Sequence, residues 1–195
     1  MAKDPVAGSH RPAPTVLVYA GPNGSGKSTI TAGYPVVGIY VNADDIKRHK
    51  RCSDLEAAQE AELLREGLLS SRNDFTFETV LSTDRNLIFL EKAKRYGYRI
   101  ESVFVLTADA ELNVKRVRAR VLKGGHVVPE DKISSRYAKS MQMVGKLATL
   151  SDACVVVDNT DRPEVIYKKD ADGEVFLSND FWDEADVRAL IEARS

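Results

Sequence analysis

An apolar run, "TVLVY", passes directly into "AGPNGSGKST", Ala20 to Thr29, and no other stretch restricts the possible folds as much. The pattern is G-x-x-x-x-G-K-[ST], with Gly21, Gly26, Lys27 and Ser28 at its fixed positions. Gly24 and Gly26 lack a Cβ where the backbone must curl with φ > 0, so that successive N–H groups converge on phosphate oxygens. Lys27 adds a charge, the following helix points its positive end at the anion, and the Ser28 hydroxyl is placed for a Mg²⁺ shell. The β-branched strand before the loop and the helix-compatible "KSTITAG" after it are the context the motif demands. Gly21, Pro22, Asn23, Gly24, Ser25, Gly26, Lys27, Ser28 and Thr29 are therefore expected to hold nucleotide phosphates, with Mg²⁺ on Ser28. A plain glycine-rich turn is the alternative.

Further apolar runs, "GIYVN", "FTFETV", "RIESVFVL" and "ACVVVDN", alternate with helical segments such as "DLEAAQEAELLREGLL" and "PEDKISSRYAKSMQMVGKLATL". That alternation predicts an α/β fold of P-loop NTPase type, a mainly parallel sheet with helices on both faces and ligands at the carboxyl ends of the strands. "VIYKKDADGEVFLS" is predicted to form a C-terminal β-hairpin with Asp-Gly in its turn, followed by a last helix, "DFWDEADVRALIEAR". Residues 1–14, rich in Pro, Gly and polar side chains, are expected to be a disordered lead-in to one domain over residues 15–195. A chain of 195 residues with 43% hydrophobic content can bury a sizeable core. Its net charge of −1 offers no general attraction for nucleic acid or an anionic membrane. Cys52 and Cys154 form no metal-ligand spacing, and no apolar run is long enough to span a membrane. A soluble, cytoplasmic protein with neither nucleic-acid nor membrane partners is expected.

The second strand ends in "YVNADDIKR", placing Asp44 and Asp45 on the rim of the phosphate loop. A carboxylate there can take a proton from an attacking hydroxyl, and Asp44 is assigned that role, with Asp45 as the cap of the next helix. "KRHKR", Lys47 to Arg51, is read as a solvated helix end rather than a substrate anchor. "FTFETV" delivers Glu78 and Thr79 to the same rim as candidate substrate contacts, although Glu78 could be an ordinary edge residue. In "NVKRVRARVLKGGHVVPEDKISSRY", Arg116 and Arg120 are four apart on one face, "GGH" interrupts the helix, and Pro129 begins another carrying Arg136. Two helices on a glycine hinge, about 110–145, predict a mobile lid whose guanidinium forks pair with phosphate oxygens. His126 in the hinge can donate to phosphate or cap the broken helix. Asp109 and Asp158 each follow an apolar strand, as metal-binding or as capping residues.

These motifs together, "AGPNGSGKST", "VNADDIKR", "FETVLS", "RVRARVLKGGHVVPEDKISSRY" and "VVVDNT", resemble the zeta toxin family of P-loop kinases, in particular its shorter branch, from about Val16 to Asn159. The resemblance implies phosphorylation of a hydroxyl on UDP-N-acetylglucosamine or a related UDP-sugar by ATP or GTP with Mg²⁺, and an antitoxin protein as partner. It places Lys27 and Ser28 in the phosphate loop, Asp44 as the base, Glu78 on the substrate and Arg120 as the first lid arginine. Asn42 stands where the family has the first carboxylate of D-x-D. His126 stands where the larger toxins have a second lid arginine, a charge that Arg136 could supply. A nucleotide-dependent switch working through a protein partner, or a kinase of another small hydroxylated metabolite or antibiotic, are the rival readings.

Overall fold

The computed structural model describes residues 12–125 and 127–193. Residues 1–11 of the expected lead-in, and His126 with both roles considered for it, lie outside the described residues. The strands are β1 (Thr15–Ala20), β2 (Ile39–Val41), β3 (Phe75–Thr79), β4 (Arg99–Leu106), β5 (Ala153–Asp158), β6 (Glu164–Asp170) and β7 (Gly173–Phe176). The helices are α1 (Lys27–Gly33), α2 (Ala43–Lys50), α3 (Asp54–Ser70), α4 (Arg85–Arg95), α5 (Ala110–Leu122), α6 (Glu130–Gln142), α7 (Val144–Leu150) and α8 (Glu184–Glu192). The strands form one sheet in the order β2-β3-β1-β4-β5-β6-β7. The first five in that order pair in parallel.

β1 lies at the centre of the parallel part, and its alternation explains the layers on either side. Val16, Val18 and Ala20 point into the larger core, while Leu17 and Tyr19 join Ile30, Val105 and Val157 in a smaller one. Period-two alternation thus buries both faces of one strand, as a parallel sheet covered by helices requires. The register sets Ala20 opposite Thr79 and Phe104, so the outlets of β1, β3 and β4 share one rim. α3 begins with a capping box, Ser53 accepting from the Glu56 N–H and Glu56 from the Ser53 N–H.

Two expectations about this end of the chain need refinement. The helix predicted to run on to Leu150 is divided at Met143 into α6 and α7. Beyond this point α7 packs closely against α8, where a Cβ on Gly145 would lie 2.3 Å from the Ile191 carbonyl. The hairpin β6–β7 extends the sheet, β6 pairing antiparallel with β5, and Ala171 and Asp172 form its tip between the paired Asp170 and Gly173.

Candidate active site

The phosphate loop follows β1 as the glycine pattern demands. Gly24 has φ +83 and Gly26 φ +95, a backbone region that favours glycine. Space forbids a side chain at both: a Cβ on Gly24 would meet the Asn113 carbonyl at 2.5 Å, and one on Gly26 would meet Asn159 Nδ2 at 2.2 Å. The Asn159 amide donates to the Ser25 carbonyl at 2.7 Å, and Arg116 donates to the carbonyls of Asn159 and Thr160 at 2.8 and 2.9 Å. Helix α5 thereby braces the end of β5, which in turn braces the loop. Lys27 Nζ donates to the Gly21 and Pro22 carbonyls at 2.6 and 3.0 Å. Burial pulls this ammonium down to about 8, with Arg120 pushing the same way and Glu78 and Asp44 opposing.

Beside the loop, Glu78 at the end of β3 is held by hydroxyls. Its Oε1 accepts from Tyr40 at 2.5 Å and Thr31 at 3.1 Å, and its Oε2 lies 3.4 Å from Ser28 Oγ. Burial, and then the bond to Glu78, push the Tyr40 phenol up. Thr79 stands on the same rim, where its hydroxyl oxygen accepts from the Leu81 N–H at 2.9 Å and Asn86 at 2.7 Å. The cap of α2 differs from expectation: Asn42, not Asp45, accepts from the Asp44 N–H, at 2.8 Å. Asp45 lies within the first turn and pairs with Arg48. A residue with extended φ and ψ must precede the first helical turn, and β2 ends so that Asn42 occupies that position.

Helices α5 and α6 form the expected hairpin, joined through Gly124, which has φ +84, and bridged by Arg118 to Glu130. Its inner side presents Arg120 from α5 and, one turn apart on α6, Lys132 and Arg136. Among the described residues none of these three forms an ion pair with another. Of the two acidic residues considered for metal, Asp109 caps α5 through the Leu112 N–H at 2.9 Å. Asp158 is buried, bound by Thr160 and Asn179. Both carboxylates are thus engaged within the fold.

These elements enclose two adjoining cavities. One, of about 760 Å³, runs from Asn23, Gly24, Gly26, Lys27, Ser28 and Thr29 to Arg116, Lys132, Arg136 and Asn159. The other, of about 1060 Å³, lies between Val36, Tyr40, Cys52 and the cations Lys47 and Arg48 of α2 and Arg51 just after it. They share Ser28, Asn42, Asp44, Glu78 and Arg120 as a common wall. The fold therefore gathers Lys27, Ser28, Asp44, Glu78, Thr79, Arg120 and Arg136 at one place. Sequence reasoning passed over Tyr40, Thr31, Lys132 and Asn159. Lys132 was detectable as the residue four before Arg136 on the same helical face; the hydroxyl contacts depend on strand register and carry no local signal.

The zeta toxin family model matches residues 3–172. An uncharacterized protein of Haemophilus influenzae is 30% identical over 127 residues, 62% of this chain and 91% of that one. Among solved structures, AvrRxo1-ORF1:-ORF2 with ATP superposes with TM-score 0.71 at 16% identity, over 92% of this chain and 63% of that one. A chain of the PezAT chromosomal toxin-antitoxin system of Streptococcus pneumoniae gives TM-score 0.58 at 18% identity, over 95% of this chain and 81% of that one. This chain thus spans just under two thirds of the AvrRxo1 chain, and at these identities the likeness concerns the fold. With the family model covering most of the sequence, and the phosphate loop, parallel sheet and helical hairpin in place, the chain belongs to the zeta toxin family of P-loop proteins.

Proposed function

We propose that this protein is a P-loop kinase that moves the terminal phosphoryl group of ATP or GTP onto a hydroxyl of a small molecule, a UDP-activated amino sugar such as UDP-N-acetylglucosamine. The observation that carries the reading is the shared wall: two cavities meet at Ser28, Asn42, Asp44, Glu78 and Arg120. A hydrolytic switch needs one nucleotide cavity, whereas a transferase needs two that open on the same phosphorus. In this reading residues 15–195 act as one domain and about 110–145 as its lid.

The nucleotide occupies the cavity beside the phosphate loop, with Lys27 and the loop residues Gly21 to Thr29 on its phosphates. The ATP bound to the AvrRxo1 complex supports that choice of ligand. The oxygen donor of Ser28, with Glu78 Oε2 at 3.4 Å, fits Mg²⁺, which binds through one or two protein oxygens and the substrate phosphates rather than an all-protein cage. Among the described residues no cluster of three or more His, Cys, Asp or Glu forms such a cage. Bound there, Mg²⁺ supplies charge neutralisation for the phosphates. The acceptor enters the second cavity, its hydroxyl toward Asp44, which takes the proton as the oxygen attacks. Glu78 and Thr79 complete the acceptor contacts. Arg48 and Arg51, expected from the sequence to be part of a solvated helix end, line the second cavity and suit an acceptor bearing a diphosphate; Arg48 pairs with Asp45, and Arg51 forms no ion pair with any described residue. Arg120 from the common wall and Arg136 from α6 meet charge on the phosphoryl group in transit.

An antitoxin partner is consistent with this reading, since the PezAT neighbour belongs to a toxin-antitoxin system. No helix of the described residues is long and apolar enough to cross a membrane; a cytoplasmic site of action is part of the proposal. Incubation with ATP, Mg²⁺ and a panel of UDP-sugars, followed by mass spectrometry, tests the proposal. A phosphorylated UDP-sugar is expected. ATP hydrolysis at one rate whatever acceptor is offered would favour the switch, and a product only with other hydroxylated metabolites would move the acceptor class.

A further inference from the structure

At position 42 the chain carries a neutral amide between two carboxylates, and the hydrogen bonds around it run in one direction. The Asn42 Oδ1 accepts from the backbone N–H of Asp44 at 2.8 Å. A backbone N–H can only donate, so the orientation of the amide is set and Nδ2 faces the other way. There it donates to the Tyr40 oxygen at 3.0 Å. Tyr40 has a single proton and gives it to Glu78 Oε1 at 2.5 Å. The other hydroxyl on that oxygen, Thr31, also has one proton and two acceptors in reach, the Lys27 carbonyl at 3.0 Å and Glu78 at 3.1 Å. Tyr40 is therefore the donor on which the carboxylate orientation depends.

We propose that Asn42 is a positioning residue for the transfer site: one amide fixes Asp44 at the start of α2 and, through Tyr40, fixes the carboxylate of Glu78. The catalytic consequence rests on the kinase reading above; the hydrogen-bond relay itself does not. The neutrality of the amide is essential to it. A carboxylate at 42 could still cap α2, but it would accept from Tyr40 and draw the phenolic proton away from Glu78. It would also add a third negative charge to a wall that already holds Asp44 and Glu78.

The test compares the parent, Asn42→Ser, Tyr40→Phe, the double variant and Asn42→Asp. Serine retains the cap but is too short to reach Tyr40. With ATP and, as acceptor, the UDP-sugar that the parent phosphorylates, each single change is expected to lower kcat/KM for the acceptor roughly tenfold, the scale of a hydrogen bond to a charged group, with KM for ATP within about twofold of the parent. The double variant should be no worse than Tyr40→Phe alone, because both changes break one chain. Asn42→Asp should match Tyr40→Phe despite its intact cap. Losses that multiply in the double variant, or an Asn42→Ser or Asn42→Asp protein as active as the parent, would overturn the relay. The same cycle measured by urea unfolding without ligand keeps the two readings apart. Coupling between positions 40 and 42 is expected there whether or not an acceptor is found, and additive effects on stability overturn the relay. Coupling in a parent that phosphorylates nothing removes the kinase reading alone.

Discussion

The side-chain amide of Asn159 donates to the carbonyl of Ser25 at 2.7 Å, so the outlet of β5 holds the turn of a loop that begins at β1, two strands away in the sheet. Removing that donor leaves a carbonyl to solvent and slackens the loop. Asn159→Ala should therefore weaken ATP binding by roughly three- to tenfold, the worth of one neutral hydrogen bond, with little change in melting temperature. Gly26→Ala should do more, because it meets both the left-handed φ and the Asn159 amide. Calorimetric titration with ATP measures both; equal affinities for Asn159→Ala and parent would refute the brace.

Lys27 makes nucleotide binding depend on pH in a defined direction. Its ammonium ordinarily titrates near 10.5 and burial lowers it to about 8. A triphosphate alongside raises it again, so binding at pH 8 and somewhat above should take up a proton. ATP affinity should be greatest below pH 8 and fall as the pH rises through it. Titrations in buffers of different ionisation enthalpy detect the uptake. Lys27→Ala should abolish both the uptake and most of the affinity.

For the lid, Arg120→Ala should lower kcat by about 10³-fold or more, the scale for an arginine that meets charge only in the transition state. Nucleotide affinity should change far less. Arg136→Ala should behave similarly. Rapid-quench rates for the two variants, beside their ATP dissociation constants, separate the effects, and parent-like rates in both would reduce the hairpin to scaffolding.

Asp44→Asn preserves size but removes basicity, so phosphorylation of the acceptor should fall by about 10²–10⁴ with ATP binding unchanged. Asp45→Asn should leave the rate within a few-fold of the parent, since Asp45 forms a largely solvent-exposed pair with Arg48 at the edge of the second cavity and such pairs contribute little. Steady-state assays of both variants check the contrast; an active Asp44→Asn would remove the base from the mechanism.

The two cysteines should differ in reactivity. Burial pushes the Cys154 thiol up to about 11, while Cys52 is only half-buried, at the edge of the second cavity. A disulfide reagent should titrate one thiol in the native protein and two after unfolding. Two fast thiols in the native state would contradict the packing around β5.

The phosphate loop was legible in the sequence because its chemistry is local: glycines that permit positive φ, a lysine and a serine at fixed spacing between strand and helix. The alternation of apolar strands with helices likewise predicted the mainly parallel sheet, since each strand carries its own burial pattern. Asp44 and Glu78 could be placed on the rim because Asp44 follows closely on the end of one strand and Glu78 stands at the end of another. Their surroundings could not be read. The shared wall brings together α1, α2, β3 and α5, and the bonds from Tyr40, Thr31 and Ser28 to Glu78 span 38, 47 and 50 residues of sequence. Periodicity within one segment carries no information on such contacts. The cap of α2 was misassigned for a related reason: Asn42, Asp44 and Asp45 are all plausible caps by residue type, and only the point where β2 stops selects among them. The bonds of Asn42 to Tyr40 and Asp44 are local, but only tertiary packing brought Tyr40 against Glu78, and only the sheet order placed Asn159 over the phosphate loop.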